Sequence, residues 1–142
     1  NKRGRRSAKA LGEWLRQHNH IPDQILSSSS QRTRETQALM GFEAPASFSE
    51  RLYHASSEIL FQALREAEHQ SVLLVTHNPG IAAFAHAIVA APPDHVRFDD
   101  YPTGATLVVQ FDIDSWSQLS WSSGRAVDFI VPRELLGEEL PA

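Results

Sequence analysis

Apolar residues recur along this chain in two rhythms. Over residues 4–19, Ala8, Leu11 and Leu15 fall at i, i+3 and i+7, with Trp14 beside them. That spacing predicts an amphipathic helix, which Pro22-Asp23 breaks. Gln24-Ile25-Leu26-Ser27 reads as a short strand. The run Ser27-Ser28-Ser29-Ser30 leads into a second helix over about 30–40, with Ser30 as its N-cap. Residues 42–54 read as loop. Ser56 or Ser57 opens a third helix, in which Ile59, Leu60, Ala63, Leu64 and Ala67 keep the 3.6-residue period. Val72-Leu73-Leu74-Val75-Thr76 follows as an apolar run, the pattern of a strand covered on both faces. A helix from about Gly80 to Val89 stops before Pro92-Pro93, and Ala105–Asp112 and Ala126–Val131 read as later strands. Strands alternating with helices imply an α/β fold with a largely parallel sheet.

Composition narrows the class. The 142 residues suit one domain, and 42% apolar with 21% charged residues is a globular balance. A net charge of −4 argues against a general nucleic-acid binder. No apolar run approaches the roughly 20 residues a membrane helix needs, so neither nucleic acid nor membrane is an expected partner. The absence of cysteine excludes a disulfide scaffold, a thiolate zinc site and a cysteine nucleophile, and fits the cytoplasm. Charge is uneven: the first sixteen residues hold Lys2, Arg3, Arg5, Arg6, Lys9 and Arg16 against Glu13. Such a basic head is consistent with a phosphate or nucleic-acid contact, but the apolar stripe of Ala8, Leu11 and Leu15 favours reading these cations as the solvated face of the first helix.

Candidate chemistry gathers at two junctions between strand and helix. At the first, Ser27–Ser30 runs into Gln31-Arg32-Thr33-Arg34-Glu35-Thr36. A helix N-terminus presents free N–H groups and a positive dipole end, and a guanidinium in its first turn matches two phosphate oxygens. Arg32 is the candidate phosphate ligand, with a pairing to Glu35 as its structural alternative. The second junction, Leu74-Val75-Thr76-His77-Asn78-Pro79-Gly80, ends an apolar strand at a histidine and turns tightly into a helix. Ligands of open α/β sheets bind at the carboxyl ends of strands, where both junctions lie. His18 and His20 fall on different helix faces and read as surface residues, while His86, in an apolar stretch, reads as a core histidine. The glycines are scattered, and neither a Gly-rich nucleotide loop nor a Gly-x-Ser-x-Gly elbow is present.

These residues resemble the histidine phosphatase (phosphoglycerate mutase-like) superfamily, and within it the SixA-like phosphohistidine phosphatases. Asn1-Lys2-Arg3-Gly4-Arg5-Arg6 is similar to the stretch entering that family's first helix. Pro22-Asp23 with Ile25-Leu26-Ser27-Ser28 resembles the strand before the phosphate loop. Arg32-Thr33, with Thr36, resembles the phosphate-binding arginine motif. Leu52-Tyr53-His54-Ala55 falls in a familiar linker. Val75-Thr76-His77-Asn78-Pro79-Gly80 resembles the second-histidine motif, usually written with Gly where Thr76 stands. Pro102-Thr103-Gly104-Ala105 and Val127–Leu135 resemble this branch as well.

The resemblance implies a three-layer sandwich with a mostly parallel central sheet flanked by helices. It implies a histidine phosphatase-like domain over 1–135, and the residues that follow, 136–142, read from their composition as an acidic tail. It also implies a phosphohistidine enzyme intermediate, formed without metal or cofactor. By position, His77 is the catalytic residue of this chain, and Arg32, Ser28 and Asn78 are phosphate-binding. The family's Arg-His motif, on its first strand, falls ahead of Asn1, so the chain is expected to be truncated before its nucleophile. Glu50, His54 and Glu58 lie where many members keep a general acid, and none matches that motif. The expected substrate is phosphohistidine on a protein, or a related small phosphorylated molecule. The alternatives are a small-metabolite phosphomonoesterase, or a non-catalytic phosphate-binding module if the nucleophile is absent altogether.

Overall fold

Helix α1 (Lys2–Gln17) starts two residues earlier than its apolar period suggests, because Gly4 N–H donates to the Asn1 side chain at 2.6 Å and caps it. The computed structural model describes residues 1–138. Strand β1 (Gln24–Ser28) and helix α2 (Gln31–Met40) follow, then strand β2 (Ala46–Ser49) with a 3-10 turn at Glu50–Leu52. Helix α3 (Ser57–Arg65), strand β3 (Val72–Val75) and helix α4 (Gly80–Ile88) come next. Strand β4 (Thr106–Gln110), a 3-10 turn at Trp116–Gln118, strand β5 (Arg125–Ile130) and helix α5 (Pro132–Leu135) complete the order. Ser30 caps α2 by accepting from Thr33 N–H at 3.2 Å, and Ser56, rather than Ser57, caps α3 by accepting from Ile59 N–H at 3.3 Å.

The chain is an α/β domain whose parallel three-stranded sheet, ordered β2-β1-β3, is flanked by helices. Strand β2 corrects the expectation of loop over 42–54. Ala46–Ser49 carries no apolar alternation because it is an edge strand with two exposed residues, and its strand character comes from pairing with Ile25–Ser28. Strands β4 and β5 form a separate antiparallel pair with a bulge between Val108 and Val109.

The two ladders share the same two faces. Val72 and Leu74 of β3 and Leu107 and Val109 of β4 pack toward Leu60 and Leu64 of α3 and Phe84 and Ile88 of α4. Leu73 and Val75 of β3 and Val108 of β4 pack toward Leu11 and Leu15 of α1, Met40 of α2 and Leu135 of α5. The antiparallel pair thus continues the plane of the parallel sheet, and a cleft of about 610 Å³ lies between β3 and β4. For that reason Val72–Val75, expected to be covered on both faces, is only half-buried at every position. Ile25, paired on both sides within β1, is fully buried, and burial of such a side chain contributes about 2 kcal/mol.

Two histidines differ from their expected settings. His20 is half-buried and shares a 2.7 Å hydrogen bond with Asp128, tying the end of α1 to β5. His86 lies on the outer side of α4, exposed, with Nε2 on the Phe98 carbonyl at 2.8 Å, so it is not a core residue. In the segment assigned as tail, Glu138 accepts from Arg3 at 2.7 Å, and residues 139–142 lie outside the described residues. Among the described residues no helix is long and apolar enough to cross a membrane.

Candidate active site

Strands β1 and β3 are neighbours in register, with Ser27 opposite Val75, so the residues that follow each strand meet. Ser28 ends β1, fully buried, and its hydroxyl shares a 2.9 Å hydrogen bond with His77 Nε2. The same hydroxyl accepts from Ser30 N–H at 3.3 Å, while the Ser28 carbonyl accepts from the hydroxyls of Thr33 at 2.8 Å and Ser27 at 2.9 Å. The serine run is therefore a hydroxyl network that joins the first turn of α2 to the His77 ring. Buried Thr33, which the sequence marked only as the neighbour of Arg32 in the arginine motif, belongs to that network.

Arg32 lies exposed in the first turn of α2, close enough that its charge acts on His77. Among the described residues it makes no ion pair. Glu35, its expected alternative partner, faces Arg5 at 3.9 Å. Arg34 turns away, donating to the Ser29 carbonyl at 2.9 Å and lying 4.1 Å over the Phe48 ring. Asn78 is exposed, and its side-chain amide donates to the Tyr101 carbonyl at 3.1 Å. That bond draws the loop of Tyr101–Gly104 to the site. Tyr101 itself is buried, with burial pushing its phenol above the usual range. The structure thus brings His77, Ser28 and Arg32 together, with Asn78 on the adjacent turn.

A further wall is formed by the loop between β2 and α3. Thr76, which stands where the resembled motif usually has Gly, donates its hydroxyl to the Leu52 carbonyl at 2.7 Å. Gly80 leaves space for the Ala55 carbonyl, with which any Cβ there would collide. These two contacts hold the loop between β2 and α3 against the His77 turn. On that loop the Tyr53 ring lies edge-on to His77 with centroids 5.1 Å apart, and the His54 ring lies 4.1 Å from Tyr53 and 6.4 Å from His77. Loop residues leave no periodic signal, so the sequence pointed here only through the resemblance, by the Leu52–Ala55 linker and the region of Glu50, His54 and Glu58.

Burial lowers the His77 pKa, and the charges of His54 and Arg32 lower it further. These three effects all favour the neutral imidazole. A bound oxyanion would reverse the balance, since Arg32, His77 and the N-terminus of α2 all favour negative charge. The class this fold and site define is an α/β domain with a cluster of Ser28, Arg32 and His77 at the carboxyl ends of adjacent parallel strands.

Comparison with known proteins bears on the same residues. Residues 1–57 match the model of the histidine phosphatase superfamily (branch 1). An uncharacterised protein of Mycobacterium leprae is 31% identical over 137 residues, covering 92% of this chain and 84% of that protein. An uncharacterised Mycobacterium tuberculosis protein is 31% identical over 139 residues, covering 92% and 87%. A solved structure from Nakamurella multipartitia, assigned as phosphohistidine phosphatase SixA, superposes with a TM-score of 0.81 at 26% identity, covering 93% of this chain and 83% of its own. One from Agrobacterium tumefaciens with the same assignment gives 0.67 at 26%, covering 88% and 77%. The chain belongs to the histidine phosphatase superfamily.

Proposed function

We propose that the protein is a phosphatase that hydrolyses phosphohistidine on a protein, or a related small phosphorylated substrate, through a phosphohistidine enzyme intermediate. The observation that carries this reading is the convergence of Arg32 and His77 at the carboxyl ends of β1 and β3. Arg32 grips the phosphoryl oxygens, and His77 donates a hydrogen bond to them as charge builds in the transition state. Ser28 sets the angle of the His77 ring from beneath, and Asn78 fixes the turn beside the phosphoryl group. Phosphoryl transfer is largely positioning and charge stabilisation, so donors of this kind suffice without a metal. The substrate's P–N bond breaks as a bond forms from phosphorus to the nucleophilic imidazole. Water then cleaves that second bond and releases inorganic phosphate.

The nucleophile, on this proposal, rides on a strand ahead of α1 that occupies the cleft between β3 and β4. Three features support it. The side chains of β3 and β4 already alternate onto shared faces, the cleft reaches His77 and Arg32, and Asn1 and Arg3 line it. A strand, α1 and β1 in succession then form a βαβ unit. Cytoplasmic placement accords with the cysteine-free composition.

The test uses the protein at its native length, with a phosphohistidine peptide as substrate. Release of phosphate and an acid-labile phosphoenzyme are expected. Faster turnover of sugar phosphates would favour the metabolite phosphomonoesterase. Protection by phosphate with no turnover of any substrate would favour the non-catalytic module. Phosphate at about 100 times its Kd raises stability by about 2.7 kcal/mol, and Arg32→Ala is expected to remove most of that gain in thermal unfolding. Protection that survives Arg32→Ala would show that the oxyanion site lies elsewhere.

A further inference from the structure

The loop carrying His54 is held more firmly than an exposed connection requires. Leu52, two residues before His54, is buried and its carbonyl is fixed by the Thr76 hydroxyl. Ala55, the residue after it, is buried with its carbonyl seated against Gly80. Both anchors belong to the segment that carries His77. Between them His54 adopts φ +56°, a left-handed conformation that side-chain-bearing residues seldom take. Such a conformation persists only where its surroundings over-determine it, and it is enriched at functional sites. Here the result is a second imidazole, exposed to solvent, 6.4 Å from His77 and edge-on to the Tyr53 ring.

We propose that His54 is a further catalytic residue, the proton donor to the leaving atom of the substrate; the assignment rests on the phosphatase reading above. Direction supports it. The inner side of His77 is taken by Ser28, so a phosphoryl group sits at the sheet end with Arg32 and His77, and the leaving group points outward to solvent, where His54 stands. The charged groups felt by His77 are His54 and Arg32, with no carboxylate among them. Glu50 and Glu58 are exposed on the neighbouring turns, and Glu58 accepts instead from Ser57. In the step itself the bond from phosphorus to the leaving atom breaks, its electron pair stays on that atom, and the atom takes a proton from the His54 imidazolium. The neutral His54 then accepts a proton from the water that attacks the phosphoenzyme. The cycle closes with His54 protonated and phosphate released.

The experiment compares the native-length protein with His54→Asn on aryl phosphates from 4-nitrophenyl to phenyl. Asn is chosen because it tolerates the left-handed region; His54→Gln is the second variant if Asn unsettles the loop. A general acid matters most for a basic leaving group, so kcat/KM on phenyl phosphate should fall about 100-fold while that on 4-nitrophenyl phosphate stays near wild type. Sulfate should still protect the variant against heat, showing that the oxyanion site is intact. An equal loss on both substrates, or no loss on either, overturns the proposal. Failure of the wild-type protein to turn over any aryl phosphate or phosphohistidine would instead sink the phosphatase reading.

Discussion

His77 joins two demands that a histidine meets only in a particular setting. Burial and the charges of His54 and Arg32 lower its pKa from about 6.5, so the folded state holds that proton less tightly than the unfolded chain does. Between the lowered value and about 6.5 the unfolded state binds more protons, and stability rises with pH. The penalty is absent above the unfolded value and complete below the folded one. An anion beside Arg32 acts in the opposite sense, because it favours the imidazolium. Sulfate keeps both charges near neutral pH, so its affinity should increase as pH falls through the His77 titration, and His77→Gln should flatten that dependence. Calorimetry at constant ionic strength checks both; an unchanged slope in His77→Gln would mean that another group carries the proton. The residue types legible in the sequence, Arg32 and His77, are those facing the proposed substrate. Ser28 was legible as a hydroxyl near phosphate, whereas its bond to His77 depends on a partner 49 residues away.

Two glycines show how elements are brought close enough to build the site. Gly12 lets α1 lie against the end of α2, where the Met40 carbonyl approaches it and also accepts from Arg16 at 2.8 Å. Gly80 opens α4 and admits the Ala55 carbonyl. A Cβ at either position meets backbone, which cannot swing aside as a flexible side chain would. Gly12→Ala and Gly80→Ala should each destabilise by about 2 kcal/mol in chemical denaturation. Only Gly80→Ala should also weaken sulfate binding, because its collision displaces the loop beside His77. Equal sulfate affinity in both variants would show that this loop does not shape the site. Helices α1 to α4 were readable from apolar spacing, and the starts of α2 and α3 from their serines, whereas α5 was not. Strand β2 was not, since an edge strand of Ala, Ser and Phe takes its order from β1 rather than from its own pattern.

The division of the sheet is the feature on which the architecture turns. Strand β1 is paired on both sides, by β2 and β3, whereas β3 and β4 each have one edge on the cleft. Backbone groups on such edges exchange with solvent unless a further strand covers them. In this 142-residue chain, amide hydrogen exchange should be slow through Gln24–Ser28 and faster on the cleft-facing amides of Val72–Val75 and Thr106–Gln110. Equal protection across all three strands would mean that the cleft is closed in solution. The apolar run at Val72–Val75 predicted a strand packed on both faces, and its side chains do alternate onto the two helical layers; its half-burial comes from the edge on the cleft, which hydrophobicity does not record.

The sequence by itself determined the succession of elements apart from β2 and α5, the capping role of Ser30 and the two junctions that bear chemistry, since period, cap and turn are properties of residues within a few positions of one another. It also carried enough of the motif pattern to resemble the family to which the chain belongs. Only the tertiary structure decided that Ser28 meets His77, that Thr76 and Gly80 clamp the His54 loop, and that β3 and β4 face each other across a cleft. Those arrangements join segments far apart in the chain, and the energies that choose them come from packing and hydrogen bonding between such segments rather than from local preference.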